Sequence, residues 1–248
     1  MPLSGRIMFL PWVTLPHPIT VGGIQFMPID TNEPAQVVDS DITDAVKQAF
    51  QHYVDLSGNP IQSCTMLLRP RHQRRWDNPD RLWSQARRAT EMLALSCMAE
   101  QRFLEGHFSP HLNASMFQLV GHGIKAGSNR FSLHFPRRGN DLRLHTTRDN
   151  VKFQQPRQVQ GTRCEIIGTR LADALTDAYR TGNPTWEPIS SSLQFFFLGH
   201  SETQELSLDS CLMLSAMAFE RLLEPKPLQK ERVAQAMGRT FAPPLGTL

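Results

Sequence analysis

Guanidinium groups crowd one short stretch of the chain. In RPRHQRRWDNPD, residues 69 to 80, Arg69, Arg71, Arg74 and Arg75 run directly into Trp76, with His72 among them. A guanidinium is a planar fork of N–H donors that matches phosphate oxygens two at a time, and an indole face stacks on a nucleobase. The chemistry these types imply is contact with a nucleic acid. A solvated basic loop has the same composition. Arg87 and Arg88 follow in the next element, and Arg137-Arg138 offer a second basic pair further on.

Other reactive types are spaced less tellingly. His107 and His111 have the i, i+4 spacing of zinc ligands on a helix, but Gly106 and Pro110 interrupt any helix there. No Glu follows His107, as a metalloprotease motif requires. The chain has no G-x-S-x-G, no phosphate-binding P-loop, no G-x-G-x-x-G and no paired carboxylates at an acid–base spacing. The triplet Ser190-Ser191-Ser192 falls where a helix begins, and Gly121-His122-Gly123 reads as a strand end or turn. No metal or cofactor is expected, and no catalytic residue can be named.

The elements that must position these groups are legible from periodicity. ITVGGIQFMPI places Gly22-Gly23 between two β-type runs, a two-residue hairpin signal. In DITDAVKQAFQHYVDLSGNP, the residues Ile42, Val46, Phe50, Tyr53 and Val54 share one helical face, with Asp41 as cap and Gly58-Asn59-Pro60 as stop. IQSCTMLL reads as a buried strand. Pro79 opens a long helix over 79–105 with the stripe Leu82, Ala86, Ala89, Leu93, Cys97 and Leu104. RFSLHFPRRGNDLRLHT predicts a hairpin over 130–146 with Gly139-Asn140 in its turn, where His134 and His145 face each other. From about residue 163 the pattern is helical. One helix carries Ile167, Leu171, Ala174 and Ala178, a second starts near Pro188, a third spans 208–223 with Ser207 as cap, and a fourth follows in LQKERVAQAMGRTF. The fold class is therefore α+β: residues 1–160 form a mixed strand and helix part and 161–248 a helical part.

Composition agrees with an ordinary packed protein. Hydrophobic residues make up 40% of the 248, charged residues 20%, and the formal net charge of +3 permits an anionic partner without demanding one. The four cysteines, Cys64, Cys97, Cys164 and Cys211, contain no C-x-x-C pair, so they read as free thiols in a reducing compartment. No run approaches the ~20 apolar residues that span a bilayer, and the expected location is cytoplasmic.

The third C-terminal helix, LDSCLMLSAMAFERLL, is apolar almost all round. Leu208, Cys211, Leu212, Ser215, Phe219, Leu222 and Leu223 cover one face, and Met213, Leu214 and Met217 much of the other. Such a helix belongs between layers or at a subunit interface. Glu220 and Arg221 near its end must be paired or reach water, since burying a bare charge costs several kcal/mol. They mark either the solvated end of the helix or a buried ionic contact.

The segment SLQFFFLGHSETQELSLDSCLMLSAMAFERLLEP, closing on Ala218-Phe219-Glu220-Arg221-Leu222-Leu223, resembles a HEPN domain of the ApeA-like branch of bacterial defence proteins. ATEMLALSCMAEQRF and the strand-rich region around it look like the part that precedes that domain. The resemblance covers roughly residues 188 to 240. It implies a helical module that pairs with a second protomer or another chain and cuts RNA without metal, using an Arg and a His four to six residues apart. No such pair follows AFERLL before Leu248, and the one match with four residues between, Arg102 to His107, lies upstream. The expectation is thus an RNA-targeting defence component without its own catalytic motif. The alternative is a non-enzymatic nucleic-acid-binding subunit of a larger nucleoprotein complex. Phe219, Glu220 and Arg221 are the expected interface or structural residues.

Overall fold

Glycine pairs and apolar runs settle the first strands. In a computed structural model, the structure describes residues 5–34, 43–68, 79–105, 114–124, 131–137, 140–146, 152–156, 164, 167–200 and 208–223. Strand β1 is Gly5–Leu10, β2 Ile19–Val21 and β3 Ile24–Asp30. Gly22 and Gly23 join β2 to β3 with φ of 57° and 77°, both left-handed, as a two-residue turn matched to strand twist requires. Val21 pairs with Ile24 across it. The position also demands glycine for space, because a Cβ on Gly22 would stand 3.0 Å from the Met92 methyl and 3.2 Å from the Ala89 Cβ.

Helix α1 is Thr43–Phe50, then β4 is Tyr53–Val54 and β5 Ser63–Leu68. The helix predicted through Tyr53 and Val54 is shorter than its periodicity suggests. Gln51 N and His52 N bond back to Lys47 O and Ala49 O, and the chain then leaves the helix to run parallel to β9, Phe153–Gln154. A backbone partner a hundred residues away overrides the local period. Asp55 takes over as the organiser of the loop, its Oδ1 accepting from Ser57 N and Asn59 N. Val46 and Phe50 are buried, as read from the sequence.

Helix α2 runs Pro79–Glu105, followed by a 3-10 turn at Ala114–Phe117 and strands β6 Val120–Ile124, β7 Phe131–Arg137 and β8 Asn140–Thr146. The seven-stranded sheet has the order β2-β3-β5-β1-β6-β7-β8, with every neighbouring pair antiparallel. In β1 the residues Ile7, Met8, Phe9 and Leu10 are all buried, so both faces of this middle strand are covered. Helix α2 packs on β2 and β3 and is buried almost all round between Ala89 and Met98. Two of its hydroxyls are satisfied within the helix, Thr90 donating to Ala86 O and Ser96 to Met92 O.

The hairpin register sets Arg137 opposite Asn140, so Asn140 belongs to β8 and not to the turn. His134 is paired with Arg143, and His145 with Ser132, so the two histidines are not cross-strand partners.

Three helices complete the description: α3 Thr169–Thr181, α4 Trp186–His200 and α5 Leu208–Leu223. Gly182 ends α3 in the left-handed conformation, φ 62°, with Asn183 N reaching Ala178 O. The buried residues of α3 are Ala172 and Leu175, and Ala174 is exposed, so the helix is rotated from the face read off the sequence; Ile167 precedes it. The fold is α+β, with strands and helices up to β9 and helices from α3 onward. Cys164, Ile167, Ala172, Leu175 and Leu193 nevertheless share one buried cluster with the sheet. Gly22 N donates to Thr176 Oγ1 and Gly168 N to Ser96 O, tying α3 to the β2–β3 turn and to α2.

Candidate functional site

The predicted nucleic-acid contacts Arg69, Arg71, Arg74, Arg75 and Trp76 lie outside the described residues, as do His107, His111 and the segment 224–248. Arg102 lies in the last turns of α2. Among the described residues no three His, Cys, Asp or Glu side chains are grouped to hold a metal ion, and no helix is long and apolar enough to cross a membrane. Ser192 donates to Pro188 O, an ordinary helix-internal bond.

One buried polar contact in the core carries no signal in the sequence. His122, in the middle of β6, is fully buried, and its Nε2 is 2.9 Å from the Tyr53 hydroxyl. Phe9 packs against both rings at 5.3 and 5.1 Å, and against Phe50 at 5.0 Å. Phe153 stacks on Tyr53 at 5.4 Å, and Trp12 meets it edge-on at 5.6 Å. Burial, and secondarily the nearby Cys64, push the Tyr53 phenol well above its ordinary range. The hydroxyl therefore stays protonated at neutral pH and works as a hydrogen-bonding handle on an aromatic knot. With His122 at 0% and Tyr53 at 1% exposure, no substrate reaches this pair. The only hint in the sequence is a histidine between two glycines, which gives no sign of its burial.

A second buried polar group is on α2. Glu91 is buried, and its Oε1 accepts from Arg87 Nε at 3.1 Å. Burial raises the Glu91 carboxyl above its ordinary range, and the Arg87 and Arg88 charges only partly offset this. Arg88 lies 6.0 Å over the Tyr179 ring, linking α2 to α3. The sign of the pH effect follows from linkage. A carboxyl whose folded pKa exceeds its unfolded value favours folding fully below the unfolded pKa, near 4.5, and that contribution is lost as pH rises through the folded pKa. We expect Glu91→Gln to flatten this decline, so that the variant's stability relative to wild type improves as pH rises above about 4.5. Chemical unfolding at a series of pH values checks it; parallel profiles for the two proteins would refute it.

The third feature is a surface. Helix α5 packs on α4, with Ala218 buried and Ser210, Leu214 and Ser215 half-buried. Its outer side is open. Leu212 is 61% exposed, Met213 66%, Met217 37% and Phe219 64%, with Ala216 exposed among them. Among the described residues α5 is thus not enclosed between layers, the first of the two places read for it, and Phe219, an expected interface or structural residue, is exposed. Glu220 and Arg221 are exposed at the helix end. The exposed residues belong to both apolar faces, Leu212 and Phe219 to one and Met213 and Met217 to the other, so α4 covers neither face whole.

No family model, curated protein or solved structure matches this chain.

Proposed function

We propose that this chain is a non-catalytic, HEPN-like subunit of an RNA-targeting defence assembly in the cytoplasm. In this reading the outer side of α5 binds a second protein chain, and the Arg69–Trp76 segment contacts RNA phosphates and bases. The observation that carries the reading is the open apolar side of α5, where four large hydrophobic side chains face water over about two turns. Contiguous apolar patches beyond a few hundred Å² are uncommon on monomers and mark interaction sites. A second copy of this chain is the partner we favour, because one patch then covers another and two-fold pairs are the commonest assembly of identical chains. Ala216 in the middle of the patch lets a facing helix approach closely. Support for the RNA half is the concentration of guanidinium groups beside an indole.

The RNA half is tested by titrating labelled single-stranded RNA with the full chain at several salt concentrations. We expect binding without cleavage, weakening steeply as salt rises. Replacing Arg69, Arg71, Arg74 and Arg75 together by Ala should reduce the slope of log affinity against log salt by about 2 to 3, near 0.7 per lost phosphate contact. Binding that ignores both salt and those substitutions removes the basic segment from the account. Metal-independent cleavage lost on changing Arg102 or His107 would make the chain an active ribonuclease instead.

A further inference from the structure

The methionines of this chain fall into two environments. Met8, Met66, Met92, Met98 and Met116 are buried, each 5% exposed or less, and Met27 in β3 is half-buried. Met213 and Met217 are 66% and 37% exposed, and among the described residues they are the methionines open to water. They stand four residues apart on α5, so they are neighbours on one side of that helix. The side they share is not the one that holds α5 in the fold, since the buried residue of the helix is Ala218. An oxidant in solution reaches a thioether where water does, and a sulfoxide is polar where the thioether was apolar.

We propose that Met213 and Met217 are a paired oxidation site, through which a hydroperoxide switches off association through α5. The switch rests on the pairing of copies proposed above. In each reaction the thioether sulfur attacks one peroxide oxygen with its lone pair. An S–O bond forms, the O–O bond breaks, and the departing oxygen takes up the proton of the transferred one and leaves as water. Sulfur is oxidised by two electrons and the peroxide is reduced by two, so one thioether and one hydrogen peroxide give one sulfoxide and one water. In the separate chain both sulfoxides stay hydrated on the outer side of α5 and leave its packing on α4 alone. In the pair they lose that water, which weakens association about tenfold for each sulfoxide and roughly 100-fold for both. Pairing in turn shields the sulfurs, so association and oxidation oppose each other by linkage. Methionine sulfoxide reductases restore the thioether, which makes the switch reversible.

The test treats the full-length protein with hydrogen peroxide, removes the peroxide, maps the oxidised peptides and measures the mass by sedimentation equilibrium over a range of concentrations. A second portion is first returned to the thioether with methionine sulfoxide reductases. The expected result is one added oxygen on each of Met213 and Met217 with the buried methionines unmodified, pairing weakened roughly 100-fold, and pairing recovered after reduction. The melting temperature at high dilution should not change. Met213→Leu/Met217→Leu, which keeps the apolar volume, should pair as wild type does and ignore peroxide. Met213→Gln/Met217→Gln, which puts a polar amide in place of each thioether, should resemble the oxidised protein without any peroxide. Oxidised wild type that pairs as before overturns the switch and leaves the pairing standing, as does a Leu variant that peroxide still dissociates. Sulfoxides that form on buried methionines ahead of Met213 and Met217 overturn the assignment of the site. Untreated protein that never pairs overturns the pairing itself, and the switch with it.

Discussion

Phe9→Ala lowers the free energy of unfolding by about 4 kcal/mol, as expected for emptying a fully enclosed aromatic site. Phe9 has no exposed surface and is the ring shared by Phe50, Tyr53 and His122, all within 5.3 Å between centroids. Those partners come from α1, β4 and β6, while Phe9 sits on β1, so they cannot collapse together into the space it leaves. The deletion forfeits the transfer energy of the ring and leaves a cavity beside the buried Tyr53–His122 bond. A chain of this length should lose roughly 10 °C of melting temperature. Urea and thermal unfolding of the full chain measure it. A loss under about 1 kcal/mol would mean that the knot is not a rigid part of the core.

The second large effect is on association. In the pairing proposed, Met213→Glu/Met217→Glu should yield monomer at concentrations where wild type pairs, while leaving the melting temperature at high dilution within a few degrees of wild type. Met213 and Met217 are 66% and 37% exposed, so a carboxylate at either place stays hydrated in the isolated chain. In an interface the same carboxylates lose their water without gaining a partner, at several kcal/mol each. The substitutions therefore separate docking from folding. If the double variant unfolds outright, α5 contributes to the core through that side, and the reading of an open face is wrong. If it folds and associates as wild type does, the interface lies elsewhere.

Much of the fold can be read from local pattern, and the misreadings have physical causes. Gly22-Gly23 declares its turn because a two-residue loop needs two positive φ angles, which glycine supplies without strain. Pro79 at the start of α2 and the unbroken buried run of β5 are equally local signals. Tyr53 and Val54 were misleading because their helical spacing is real, yet they pair with Phe153 and Gln154, which no local window contains. The α3 face shifted because Ala174 and Ala172 are indistinguishable until α2 chooses between them. His122 was hidden for the same reason: a histidine is read as polar until a tyrosine from another strand supplies its bond. For α5 the all-round apolarity was legible and its consequence was not, since sequence cannot say which part of an all-round apolar helix is covered by the same chain and which by another. The candidate RNA contacts rest on residue type and clustering alone.

In the function proposed, the outer face of α5 is a contact between copies of this chain. Sedimentation equilibrium of the wild-type protein over a wide concentration range tests that pairing. We predict a mass that rises with concentration to twice the 28.1 kDa of the chain. A mass fixed at the single-chain value at every concentration, with Met213 and Met217 open to chemical oxidation throughout, would contradict it.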